Sequence, residues 1–237
     1  MAQRLYPNES GEYREARDRL LKEEQALVDK VKAIAAMRRN LPRGGEVKEY
    51  YVFQWASGEK LGKAVKLSEL FGDKDTLLIY SFMYGPNWDK PCLSCTSLMD
   101  GFDRAWQPVT RDAAFVAIAK AQPEHIDDWA KYRGWSQLPL VSGYKSTFQA
   151  DYRCQVDGDD DQRGKLMVFR RQDEKTFHFW ENELDSNFLD TVWPYWNLMD
   201  FTPEGRPDRP VPPLDFQSKT AERYMSASDR TALARAR

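Results

Sequence analysis

The stretch from Thr76 to Trp106 limits what this chain can fold into more than any other. Thr76-Leu-Leu-Ile-Tyr-Ser-Phe-Met83 is apolar, rich in β-formers and of strand length. Tyr84-Gly-Pro-Asn-Trp-Asp-Lys-Pro91 then turns the chain, and Leu98, Met99, Phe102 and Trp106 recur at three- and four-residue steps, the spacing of a helix with one buried face. A strand that feeds a helix through a turn is half of a βαβ unit, so the chain needs a layered α/β core. Between turn and helix stand Cys92 and Cys95, the one Cys-x-x-Cys pair in the sequence. They fall at the predicted helix N-terminus, where unpaired N–H groups and the positive end of the helix dipole favour an anion. A thiolate is such an anion, and this setting can bring a thiol from ~8.5 to about 3.5–7.5. The expected chemistry is thiol exchange near neutral pH, with Cys92 as the nucleophile nearer solvent and Cys95, one turn into the helix, as the resolving thiol. Lowering a thiol by ~2 pH units needs about 2.7 kcal/mol. The dipole supplies only ~0.3–1 kcal/mol when exposed, which leaves the rest to backbone N–H groups or a cation such as Lys90. Trp88 is expected to shield the pair.

The remaining elements fit around this unit. Ser10 to about Arg39 reads as a long charged helix with a narrow stripe of Leu20, Leu27, Val31 and Ile34, and Leu41-Pro-Arg-Gly-Gly45 ends it. This arm, residues 1–45, suits packing on its own domain or pairing with a second copy. Val47 to Trp55 has a strand composition, and Lys66 to Gly72 reads as a helical turn. Ala113 to Ala119 reads as a buried strand, and Pro123 opens a helix through about Tyr132. Leu138-Pro-Leu-Val141 is a short apolar stretch. Leu166–Phe169 and Thr176–Trp180 read as a strand pair, and Asn187 to Met199 as a helix interrupted or kinked by Pro194. The order predicts a mixed sheet flanked by helices over residues 46–202, the arrangement of a thioredoxin-like domain. From Pro203 to Pro213 five of eleven residues are proline. Residues 203–237 therefore read as an extended, polyproline-rich tail.

Composition excludes several classes. Among 237 residues, 41% are hydrophobic and 13% aromatic, enough for one domain with a substantial core. A formal net charge of −2 with no long basic run argues against nucleic-acid binding, and no apolar run spans a bilayer. The first ten residues lack a signal-peptide core, so a cytoplasmic location is expected, where a Cys-x-x-Cys pair is catalytic or metal-binding rather than structural.

Three further segments join the Cys-x-x-Cys region in a pattern. Phe82-Met-Tyr-Gly-Pro-Asn-Trp88 precedes Cys92-x-x-Cys95. Leu21-Lys-Glu-Glu-Gln-Ala-Leu27 lies in the charged helix. Gly134-Trp-Ser-Gln-Leu-Pro-Leu-Val-Ser142 and Asn197-Leu-Met-Asp-Phe-Thr-Pro-Glu-Gly-Arg206 complete the set. Over roughly residues 10–216 the chain resembles the bacterial thioredoxin-like family catalogued as domain of unknown function family 899. The resemblance implies an α/β thioredoxin-like fold of the broader, peroxiredoxin-like kind and leaves the activity unassigned. It also marks departures. Family members often carry Gly before the first cysteine, Pro between the pair and Ser after the second, where this chain has Pro91, Leu93 and Thr96. Trp88, Pro91 and Thr96 are therefore the candidate site-shaping residues. Thioredoxins proper carry a cis-proline before the strand that faces the cysteines; here Arg163-Gly164-Lys165 stands there.

The expected function is thiol–disulfide exchange with a protein or small-molecule substrate, without metal or other cofactor. The rivals are a divergent thiol peroxidase and a non-enzymatic metal-binding or interaction protein on the same scaffold. The Pro, Thr/Ser, Cys spacing of peroxiredoxins is not met at Cys92 or at Cys95. Zinc wants four ligands, and one Cys-x-x-Cys pair with isolated Cys154, His125 and His178 does not supply them. Cys154 reads as a buried thiol, Trp193, Tyr195 and Trp196 as packing aromatics, and Asp157–Asp161 as a solvated loop.

Overall fold

A computed structural model describes residues 6–47, 50–183 and 191–207. The chain divides into two compact units, residues 1–44 and 45–237. The first is built on one helix, α1 (Gly11–Arg39). Ser10 caps it by accepting the Tyr13 N–H at 3.0 Å, and Arg38 and Arg39 sit in the last turn, where the dipole favours cations. Arg14 is buried between Glu9 and Asp18 (3.6 and 2.9 Å). Leu20, Leu27, Val28 and Val31 are exposed along the helix.

The second unit is organised by β3 (Thr76–Ser81), the strand that precedes the cysteines. It pairs in parallel with β4 (Ala114–Ala119) and antiparallel with β6 (Lys165–Gln172). β6 turns back into β7 (Lys175–Glu181). On the other side β4 pairs in parallel with the three-residue β5 (Leu140–Ser142), which is antiparallel to β1 (Val52–Trp55), itself paired with β2 (Ala64–Lys66). The sheet thus runs β2-β1-β5-β4-β3-β6-β7. The inner strands β4-β3-β6-β7, with a helix crossing from β3 to β4, form the thioredoxin-like core. β3 carries an apolar run from Leu77 to Tyr80 because both of its faces are covered: Leu77 and Ile79 point into one cluster with Phe53, Val116, Phe148 and Phe169, while Tyr80 and the following Phe82 point into the other.

That second cluster is filled by α2 (Leu93–Val109) and α3 (Pro123–Arg133). Leu98 and Met99 of α2 are fully buried, and Phe102 and Trp106 partly so, on the stripe their spacing predicts. Pro123 occupies the first turn of α3, and Gly134 ends it at φ 71°, where its N–H bonds back to Ala130 and Lys131. The turn that follows is held by Asp103 of α2. Its Oδ1 accepts the N–H groups of Ser136, Gln137 and Leu138 at 3.1, 2.8 and 3.0 Å. Asp100 likewise accepts from Arg133 and from the Trp135 indole.

Two expectations shift. Leu138–Val141 contributes a strand, because its backbone completes the ladder between β4 and β1. The last helix, α5, which follows the one-turn α4 (Phe148–Asp151), spans Pro194–Met199, so Pro194 opens it and does not kink it; residues 187–190 of the expected helix lie outside the described residues. The same holds for most of the proline-rich tail, where only residues 203–207 are described. Among the described residues no helix is long and apolar enough to cross a membrane.

Candidate functional site

Cys92 is the N-cap of α2, so Leu93, Ser94 and Cys95 form its first turn. Pro91, which is buried, fixes the entry of the chain, and the Cys92 N–H bonds to the Met83 carbonyl at 3.0 Å, tying the helix start to the end of the strand segment. Thr96 is fully buried. Its Oγ1 donates to the Cys92 carbonyl at 3.0 Å and accepts from the Trp129 indole at 3.2 Å. Thr96 therefore faces α3 and holds the turn that carries Cys92.

The two thiols differ sharply in environment. Cys92 is half-buried and Cys95 buried, and both are free. Hydrogen bonding from the Cys95 S–H brings the Cys92 thiol from its ordinary 9.0 down to about 6, against the opposing effect of burial. The backbone N–H groups of Cys95 and Ser94 and the Ser94 hydroxyl add to this lowering. No full capping hydrogen bond of helix geometry reaches the sulfur, so these N–H groups act as nearby donors. Cys95 is pushed well above its ordinary range by the same hydrogen bond to Cys92, then by burial, then by the Cys92 charge. The two thiols are thus driven apart, Cys92 down and Cys95 up. Two donors work the other way on Cys95: the Tyr80 hydroxyl and the Met83 N–H.

Sequence reasoning named Lys90 as the candidate cation. The structure leaves it exposed, and it is not among the groups that lower Cys92. What it missed is Ser94, Tyr80 and Gly164. Ser94 was legible as the second residue of the helix, whose hydroxyl lies beside the cap. Tyr80 and Gly164 are brought in by the sheet register: Tyr80 pairs with Leu166, and Gly164 lies two residues before it on the same face. A Cβ on Gly164 would stand 3.4 Å from the Tyr80 hydroxyl and 3.5 Å from Cys95 Sγ.

Trp88 is half-buried at the edge of the apolar cluster that also takes in Cys92. Its position is set from across the chain. The indole donates to the Asp160 carbonyl at 3.1 Å, while the Asp160 carboxylate accepts the Asn87 N–H at 3.2 Å and the Asn87 amide at 2.6 Å. The 157–161 loop, expected to be merely solvated, is thus the brace of the turn leading into the cysteines. Gly85 is required beneath it, since a Cβ there would come within 2.7 Å of the Trp88 ring and 2.8 Å of Asp160.

The other candidates lie apart. Cys154 is buried on the opposite face of the sheet, its thiol pushed up to about 12 chiefly by burial. His178 sits 3.8 Å from Glu181, which also pairs with the buried Lys165 at 2.8 Å. No group of three or more His, Cys, Asp or Glu side chains suited to a metal ion occurs among the described residues. Trp193 is buried and donates to Ser97 Oγ at 3.2 Å, which docks α5 on α2.

Solved structures similar to this chain include a mutant of peroxiredoxin Q from Xanthomonas campestris (12% identity, TM-score 0.45, covering 65% of this chain and 98% of that one). Peroxidoxin BcpB from Mycobacterium tuberculosis matches at 18% identity and TM-score 0.45, over 65% and 95% of the two chains. The reduced 2-Cys peroxiredoxin of Plasmodium vivax matches at 13% identity and TM-score 0.47, over 67% and 84%. No curated protein matches. The sequence matches the family described as "Bacterial protein of unknown function (DUF899)" over residues 3–230, and the chain belongs to that family.

Proposed function

We propose that this chain is a thiol–disulfide oxidoreductase in which Cys92 attacks and Cys95 resolves. One observation carries the reading: two free thiols stand one turn apart at the N-terminus of α2, the half-buried Cys92 at the cap, where it is brought to about 6, and the buried Cys95 behind it, where it is pushed up. A thiol at about 6 is mostly thiolate at pH 7. The Cys92 thiolate attacks one sulfur of a substrate disulfide; the new S–S bond forms as the old one breaks, and the first half of the substrate leaves as a thiolate that takes a proton from solvent. Cys95 then gives up its proton and attacks Cys92 Sγ. The mixed disulfide breaks, the second half of the substrate departs as a thiolate that takes up that proton, and a Cys92–Cys95 disulfide remains. The substrate has gained two electrons and the pair has lost them. A dithiol reductant closes the cycle, and the same steps run backwards oxidise a substrate dithiol.

The test is to treat the reduced protein with glutathione disulfide and map the products by mass spectrometry. A Cys92–Cys95 bond that a dithiol reverses is expected, with a trapped Cys92–glutathione adduct in C95S and no adduct in C92S. If wild type forms no such bond under mild oxidant, the proposal is wrong. Treatment with hydrogen peroxide alone forms the second arm: a sulfenate at Cys92 appearing faster than disulfide exchange would move the assignment to the thiol peroxidase.

A further inference from the structure

Cys95 has a problem that the exchange reading creates. In the resting pair its proton stabilises the Cys92 thiolate. Once Cys92 is tied up in a mixed disulfide that role ends, and Cys95 itself must become an anion while buried in the core. Burial alone opposes this strongly.

The structure places two donors at that sulfur. The Tyr80 hydroxyl and Cys95 Sγ lie 3.4 and 3.5 Å from the same point above Gly164, and the Met83 N–H also reaches Cys95. Tyr80 is fixed there. It lies near the C-terminal end of the central strand, paired to β4 on one side and β6 on the other, is 1% exposed, and its ring meets Phe102 of α2 edge-on at 5.2 Å. Gly164 leaves room for this meeting by presenting no side chain. We propose that Tyr80 is a catalytic hydrogen-bond donor of the resolving step: its O–H holds the Cys95 thiolate that attacks the mixed disulfide. This rests on the exchange proposal above. The tyrosine keeps its proton throughout, since burial and the neighbouring thiols hold it well above the ordinary phenol range. The Cys95 proton goes to the departing substrate thiolate. With the Met83 N–H the tyrosine supplies donors beside the sulfur on which charge develops, as donors stabilise anions in acyl-transfer sites.

The two steps separate with an aromatic disulfide such as 5,5′-dithiobis(2-nitrobenzoate). Attack by Cys92 releases one coloured thiolate, and attack by Cys95 releases the second. Tyr80→Phe is expected to leave the first phase and the Cys92 alkylation midpoint nearly unchanged. It is expected to slow the second phase by about tenfold or more, the scale of one hydrogen bond to a charged group, and to move that phase's pH midpoint upward. Site-specific 3-fluorotyrosine at position 80, the same shape with a more acidic O–H, is expected to speed the second phase, and it keeps the test sound should the phenylalanine variant unfold. An unchanged second phase in both variants overturns the role of Tyr80 while leaving exchange intact. A wild-type protein that releases only one equivalent overturns the exchange reading, and the role of Tyr80 with it.

Discussion

Replacing Cys95 by alanine is the sharpest probe of why Cys92 is acidic. Moving a thiol from 9.0 to about 6 corresponds to about 4 kcal/mol in favour of the thiolate. The largest lowering influence is the Cys95 S–H, and a hydrogen bond to a charged group is worth ~1.5–3 kcal/mol. Its loss should therefore raise the midpoint by about one to two pH units, to between about 7 and 8. The Ser94 hydroxyl and the N–H groups of Ser94 and residue 95 remain and hold it below an ordinary thiol. Cys95→Ser keeps a donor at the same place and should stay closer to wild type. The sign follows from a depressed acid: reactivity is full well above the midpoint and is lost as pH falls through it. The assay is the pH profile of iodoacetamide alkylation at Cys92, read by peptide mass. The midpoint is the observable, because a thiolate of higher pKa is also the better nucleophile and partly masks the change in rate at a single pH. Cys154 does not interfere, being buried and pushed up to about 12. A midpoint in Cys95→Ala within a few tenths of wild type, or a wild-type midpoint near an ordinary thiol, would refute the assignment of Cys92's acidity to Cys95.

Two structural predictions concern the frame around the pair. Asp103→Ala strips the acceptor from three N–H groups of the 136–138 turn and should cost about 3–5 kcal/mol in urea unfolding, while Asp103→Asn, which keeps one carbonyl oxygen, should cost roughly 1 kcal/mol; equal small losses would show that the turn holds itself. Asp160→Ala removes the acceptor for Asn87 and should speed amide exchange at residues 85–88 with about 0.5–1.5 kcal/mol of global destabilisation. Unchanged protection there would mean that the turn is held by something other than the Asp160 carboxylate.

Much of the architecture was legible because local signals and burial agree. The apolar run of β3, the α2 stripe and the proline and glycine that bracket α3 each specify their element with few neighbours. Where legibility failed, the cause is non-local. Three residues around Leu140 carry too little pattern to announce a strand, and only the exposed ladders of β4 and β1 make one of them. Pro194 fits the start of a helix as well as its interruption, and only the docking of Trp193 on Ser97 sets which.

The same division runs through the site. Spacing alone put Cys92 and Cys95 on one helical turn at its positive end, because a helix advances one turn in fewer than four residues. Spacing could not tell which of the two keeps the proton. That was decided by depth in the core and by groups distant in sequence: Tyr80 from the central strand, Gly164 beside it in register, and Asp160 bracing the turn before Cys92. A thiol's acidity depends on burial and on donors a few ångströms away, and those distances exist only once the sheet has closed.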